Sequence, residues 1–128
     1  MKMALPTHKD MQYVKRKLKL FYYDNLNNPN FPTKMIEFNR AMQRIFSFYQ
    51  LSVPPIEWYD RLGTTSENNK ILGQCTQEGK IKLLTPNAHQ WGGFEGWYNT
   101  VSHEIGHSVM WADCEKKARE FARRMCAR

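Results

Sequence analysis

Cysteines and long apolar runs are scarce in this sequence. Its three cysteines, Cys75, Cys114 and Cys126, show no CxxC spacing, which argues against a disulfide framework and a four-cysteine zinc site and indicates reduced thiols. No apolar run approaches the length of a membrane span, and the start, MKMALP, lacks the apolar region and cleavage site of a signal peptide. We therefore expect a cytoplasmic protein with no membrane partner.

Repeats, linkers and low-complexity segments are also absent from the sequence. A chain of 128 residues with 41% hydrophobic and 24% charged residues is large enough for one core, and we predict a single domain over residues 1–128. The formal net charge of +7 is concentrated in KRKLK at 15–19 and RR at 123–124. Such runs can contact phosphates, although they more often form the solvated face of a helix.

Two amphipathic helices are predicted in the first half. Thr7 is an N-cap candidate, and the apolar residues after it recur at helical spacing over residues 8–24. The Asn- and Pro-rich NLNNPNFP breaks the chain, and a second helix is predicted from Thr33 to the stop at Pro54 and Pro55. Its apolar stripe is Met35, Phe38, Met42, Ile45 and Tyr49.

The second half is predicted to combine strands with helices. IEWY has strand character, and residues 70–76 and 80–85 are predicted to form a hairpin around Gly79. A glycine-containing loop, NAHQWGGFEG, precedes the predicted helix WYNTVSHEIGHSVMW. Gly106 costs this helix about 1 kcal/mol relative to alanine, so we expect it to serve close packing.

The pentapeptide HEIGH is the feature with the clearest chemistry. On a helix, His103 and His107 lie one turn apart on the same face, so both imidazoles can reach one metal ion. Glu104 then points beside them toward a bound water. This HExxH pattern is typical of zinc sites that activate water.

A catalytic zinc site takes three protein ligands and keeps one position open, and this chain has no histidine after His107. The candidates for the third ligand are Asp113, Cys114, Glu115 and Glu120. In a final helix over residues 114–127, the apolar stripe of Ala118, Phe121, Ala122 and Met125 projects back onto Glu115. A carboxylate facing a core has to be paired or bound to a metal, which favours Glu115.

Asp113 is the alternative third ligand. It occupies the place of the third ligand in the longer pattern HExxHxxGxxH, where Met110 stands in the position of the glycine. Asp113 also sits where the N-cap of the final helix is expected.

HEIGH at 103–107 and EKKAREFA at 115–122 resemble the zincin metallopeptidases, and within them the ImmA/IrrE-type family, whose members typically read HExGH followed by ExxAxxFA. The resemblance implies an α+β, single-domain zincin-like fold. It would have N-terminal helices, a small antiparallel sheet or hairpin, and an HExxH helix followed by a C-terminal helix carrying the third ligand. It further implies that His103, His107 and Glu115 hold Zn²⁺, and that Glu104 deprotonates the water that cleaves a peptide or protein substrate.

The stretch ILGQCTQEGKIKLLTP before the HEIGH helix also resembles SprT-like small zincins, although the third histidine of that pattern is absent. One alternative function is therefore a nucleic-acid-associated protein, or a DNA-directed protease, that uses its basic N-terminal helix. Another is an inactive zinc-binding interaction domain. Tyr59, His89 and Tyr98 are the candidate donors to an oxyanion.

Overall fold

The first helix begins where its capping residue predicts. The computed structural model describes residues 6–109 and 115–126, without the side chains of residues 115–117. Helix α1 spans His8–Asn25, and the Thr7 hydroxyl accepts a hydrogen bond from the Asp10 amide at 3.1 Å. Its predicted apolar stripe, Met11, Val14, Leu18 and Phe21, is buried, which confirms the helix and the face that it packs on.

Helix α2 spans Met35–Phe48, so the predicted start at Thr33 and the predicted stop at Pro54 are both wrong. The helix ends in a Schellman motif. The Leu51 amide donates to the Phe46 carbonyl at 2.9 Å, and the Gln50 amide donates to the Ser47 carbonyl at 3.0 Å. Gln50 adopts a left-handed φ of 57°, so local backbone geometry ends the helix before the prolines are reached.

Three short strands form one mixed sheet in the order β1–β3–β2. β2 (Gly73–Cys75) and β3 (Ile81–Leu84) form the predicted antiparallel hairpin, and Gly79 in the turn has a φ of 91°. β1 (Ile56–Tyr59) is the predicted IEWY strand, and it pairs with β3 in parallel. The sheet is therefore mixed, where an antiparallel sheet was predicted, and β2 lies at its edge.

Aromatic side chains join the helices to the sheet. The ring of Phe21 lies 5.0 Å from Phe38 of α2, 5.4 Å from Trp58 of β1 and 5.9 Å from Trp97, between centroids. All but Trp58 are almost fully buried. Burial of such large apolar surfaces is the main force that holds these elements together.

Helix α3 (Gly93–Val109) carries HEIGH, and α4 (Glu115–Cys126) packs against it. α3 begins inside the stretch that was predicted to be a loop. A Cβ added at Gly106 would lie 3.1 Å from Ala118 Cα and 3.2 Å from the Ala118 carbonyl oxygen. This close approach confirms that Gly106 serves packing, here the contact of α3 with α4.

The described residues thus form an α+β arrangement of four helices and a small three-stranded sheet, compatible with a small single domain. This agrees with the predicted α+β class. No helix within residues 6–109 and 115–126 combines the length and the apolar character needed to cross a membrane.

We predict that Gly106→Val lowers the free energy of unfolding by about 1–3 kcal/mol, because the new side chain would overlap Ala118 and Phe121 of α4. Helix propensity alone predicts a small gain, since valine is a better helix former than glycine. Urea unfolding measures the difference. Gln12→Val, at an exposed position within α1, is the control for the helix preference of valine, and an equal midpoint for Gly106→Val and wild type would contradict the packing role of Gly106.

Candidate metal centre and active-site cleft

Helix α3 brings the two histidines of HEIGH together. The ring centroids of His103 and His107 lie 4.8 Å apart, with an interplanar angle of 76°. This spacing follows from the one-turn separation predicted by the sequence. His103 is half-buried, whereas His107 is 8% exposed and Glu104 is 6% exposed. The three predicted residues therefore lie on one part of the helix, with the carboxylate almost out of solvent.

A cleft of about 470 Å³ separates this part of α3 from strand β2. It is lined by Gly73, Gln74, Cys75, Thr76, His103, Glu104 and His107. Gln74 is exposed and His103 is half-exposed, so the cleft is reached from solvent. The edge strand of the sheet forms one wall, and HEIGH forms the other.

Gly73 allows the strand to approach Glu104 closely. A Cβ at this position would lie 3.0 Å from Glu104 Cγ, 3.0 Å from Thr100 Cγ2 and 3.2 Å from Glu104 Oε2. The missing side chain thus sets the distance between β2 and the acid. Sequence reasoning missed this role of Gly73, although a glycine within a strand is a known signal of close backbone approach.

Two polar contacts hold the Thr100 side chain in position. Its hydroxyl donates to the Gly96 carbonyl at 3.2 Å and lies 2.8 Å from Nε2 of His89. His89 is 1% exposed, and burial lowers its pKa, which favours the neutral imidazole. His89 is therefore a buried support behind the cleft wall and does not line the cleft.

The two tyrosines predicted as oxyanion donors do not line the cleft either. Tyr98 is fully buried and stacks on Phe94 with ring centroids 5.6 Å apart. Tyr59 donates its hydroxyl to Glu57 at 2.6 Å on β1, which β3 separates from β2. Both have packing or surface roles.

The predicted third ligand falls at the limit of the described residues. Asp113 and Cys114 lie outside them, and α4 begins at Glu115, whose side chain is also outside the description. Glu120, another candidate, bonds Arg123 at 2.6 Å and Arg124 at 2.9 Å on the outer face of α4. Among the side chains that the structure describes, no three His, Cys, Asp or Glu residues form a metal-binding group.

The apolar face of α4, from which Glu115 was predicted as the third ligand, is buried as predicted. Ala118, Phe121, Ala122 and Met125 are all at most 2% exposed, so the apolar stripe packs inward. Ala118 meets Gly106, the residue before His107. Glu115 precedes Ala118 by about one turn, so its backbone lies about one turn of α4 from the contact with Gly106.

Cys75 is a cleft residue that sequence reasoning did not connect with HEIGH. It lies two residues after Gly73 on β2, and alternate residues of a strand share a face. Burial, with a smaller contribution from the negative charge of Glu104, raises the pKa of the Cys75 thiol to about 11. The two groups therefore interact electrostatically across the cleft.

We predict that iodoacetamide alkylates Cys75 on the order of 100-fold more slowly than free cysteine near pH 8, because little of the thiol is present as thiolate. The protein used is stripped of metal and carries Cys114→Ser and Cys126→Ser, so that Cys75 is its one remaining cysteine. The rate should keep rising with pH above about 9, where that of free cysteine levels off. Glu104→Gln should speed alkylation, since it removes one cause of the raised pKa. A plateau of the rate near pH 8.5, as for an ordinary thiol, would contradict the buried position.

Comparison of the chain with protein-family models, with curated proteins and with solved structures finds no match. The residues of the cleft are therefore the basis for inferring a function. They include two imidazoles and one carboxylate on α3, and one thiol on the edge strand β2.

Proposed function

We propose that this protein is a zinc-dependent metallopeptidase of zincin type, acting within the cytoplasm on a protein or peptide substrate. The observation that carries the proposal is the arrangement of the cleft, in which two imidazoles and a buried carboxylate face an edge strand. Such an arrangement combines a means of activating water with a place for an extended peptide.

The donor set suits zinc. His103 and His107 supply two nitrogen ligands from rings whose centroids are 4.8 Å apart, close enough for one ion to contact both. Glu115 is the proposed third ligand, because its position on α4 follows the buried stripe back toward α3. Zinc at such a site lowers the pKa of a water molecule toward about 7 and polarises a carbonyl.

Glu104 is the proposed general base. It accepts a proton from the attacking water and donates it to the nitrogen of the leaving amine as the peptide bond breaks. Its low exposure of 6% keeps the carboxylate out of bulk solvent, which strengthens its interaction with any nearby positive charge. The backbone of Gly73 lies close against this side chain and restricts its movement.

Strand β2 supplies the proposed substrate-binding edge. The Thr76 amide donates to the Lys80 carbonyl at 2.9 Å, so these two residues form a hydrogen-bonded pair of the ladder. The next pair along the ladder is Cys75 with Ile81. Since bonded and non-bonded pairs alternate in an antiparallel ladder, the amide and carbonyl of Cys75 point away from β3. A peptide added there as a further strand would cross the cleft beside Glu104.

The two alternative functions have less support. Lys15 and Lys17 of the basic helix α1 form ion pairs with Glu95 at 3.2 Å and Glu37 at 2.8 Å, which reduces the positive charge that a nucleic acid would meet. A structural zinc domain has four protein ligands in a closed site. The solvent-accessible cleft beside His103 fits an open catalytic position better.

We predict about one zinc per chain in protein purified from zinc-replete cells without added metal. Glu115→Ala should weaken zinc binding by at least about 100-fold, whereas Asp113→Ala should keep it. Elemental analysis after dialysis, together with a chelator competition, measures both. Zinc lost from Asp113→Ala and kept in Glu115→Ala would transfer the third ligand to Asp113, and a zinc-free wild type would refute the metal centre.

Glu104→Gln is expected to keep its zinc and to lower cleavage of a peptide library by at least about 100-fold, because the general base is lost. Mass spectrometry of the products measures cleavage. Glu95→Gln, at an exposed position of the same helix, is the matched control and should retain activity. Equal cleavage by Glu104→Gln and wild type would remove Glu104 from the mechanism. A zinc-loaded wild type that cleaves no member of the library would refute the peptidase proposal.

A further inference from the structure

A hydrogen bond joins the turn of the β2–β3 hairpin to helix α3. The Ser108 hydroxyl donates to the Gly79 carbonyl at 3.3 Å. Ser108 directly follows His107 and lies one residue before Val109, where α3 ends. Both partners are half-buried, so the bond is partly shielded from competing water.

Further hydrogen bonds link this contact to a residue that lines the cleft. The Gly79 amide donates to the Thr76 carbonyl at 2.9 Å, and the Thr76 hydroxyl accepts from the Lys80 amide at 3.1 Å. Thr76 belongs to the cleft wall that β2 and its turn form. Ser108 therefore anchors one end of this wall through Gly79.

The other end of β2 packs against α3 at a position before HEIGH. Gly73 lies so close to Thr100 that an added Cβ would come within 3.0 Å of Thr100 Cγ2. Thr100 precedes HEIGH on α3, and Ser108 follows it. The hairpin is thus held to α3 on both sides of the two histidines, by close packing at Gly73 and by the hydrogen bond at Gly79.

From these contacts we propose that Ser108 is a positioning residue, which holds the substrate-binding edge of β2 in place beside His103 and His107. The effect on catalysis rests on the proposed function, because it requires a peptide paired along β2, whereas the contact itself does not. A peptide that adds as a further strand takes its position from the edge that it pairs with. An edge that is already in place does not have to be ordered when the peptide binds, which reduces the cost of binding.

The contribution of one neutral hydrogen bond sets the size of the expected effects. Removal of the hydroxyl in Ser108→Ala should raise the equilibrium constant for opening of the turn by about two- to tenfold. A peptide that pairs along β2 should lose a similar factor in kcat/KM. The loss should appear in KM more than in kcat, because the pairing is the same in the bound substrate and in the transition state.

Amide hydrogen exchange in metal-free protein tests the contact without an assay of activity. In Ser108→Ala, the amides of Thr76, Gly79 and Lys80 should exchange about two- to tenfold faster than in the wild type. Ser108→Thr keeps the hydroxyl and should restore the slower exchange. Ser47→Ala, which removes an exposed serine one residue before the end of α2, is the matched control and should leave exchange in the hairpin turn unchanged.

Peptide cleavage tests the positioning role. Zinc-loaded Ser108→Ala should cleave peptides of about eight residues, which can pair along the whole of β2, with a kcat/KM about two- to tenfold below that of the wild type. Peptides of about three residues cannot pair along all of β2 and should lose little. Zinc content should not change, and Ser108→Thr should restore cleavage of the long peptides. A general loss of stability would instead affect long and short peptides by the same factor.

The two measurements separate this inference from the proposed function. Unchanged exchange in Ser108→Ala would overturn the inference, because the bond would then not hold the turn. Faster exchange with undiminished cleavage of long peptides would keep the contact and overturn the positioning role, while the peptidase stands. A zinc-loaded wild type that cleaves no peptide would refute the peptidase, and faster exchange in Ser108→Ala would then still support Ser108 as the anchor of the cleft wall.

Discussion

The contact between α3 and α4 at Gly106 is the constraint on which the candidate site depends. A Cβ there would lie 3.1 Å from Ala118 Cα, so the distance between the helices is set by the missing side chain. Gly106 immediately precedes His107, and Ala118 lies in the first turn of α4 after Glu115. Burial of the apolar stripe of α4 therefore also fixes where α4 begins relative to the histidines, which joins core packing to the proposed ligand set.

Local patterns predicted the elements of the fold better than their limits and partners. Helical periodicity located α1 and the stripe of α2, and turn residues located the hairpin. The end of α2 was missed because Gln50 adopts a left-handed conformation, for which glycine or asparagine is the usual signal. The parallel pairing of β1 with β3 was missed as well, because it joins residues distant in the chain and leaves no local pattern.

The site shows the same division between local and distant information. HEIGH placed His103, Glu104 and His107 together, since helical spacing puts the two histidines on one face and Glu104 beside them. The opposite wall came from a strand about thirty residues earlier, and only the fold brings Gly73 and Cys75 against Glu104. A glycine inside a predicted strand was a usable signal of close approach, but no sequence feature named the helix that it approaches.

The distribution of charge matters more here than the net value of +7. Both α1 lysines that form ion pairs have a glutamate of their own, Glu95 or Glu37, so their charges are largely balanced locally. On α4, Glu120 accepts hydrogen bonds from Arg123 and Arg124, so one negative charge is shared by two positive ones. The ion pairs of α1 weaken the case for a nucleic acid on this helix, because they reduce the positive charge that phosphates would meet.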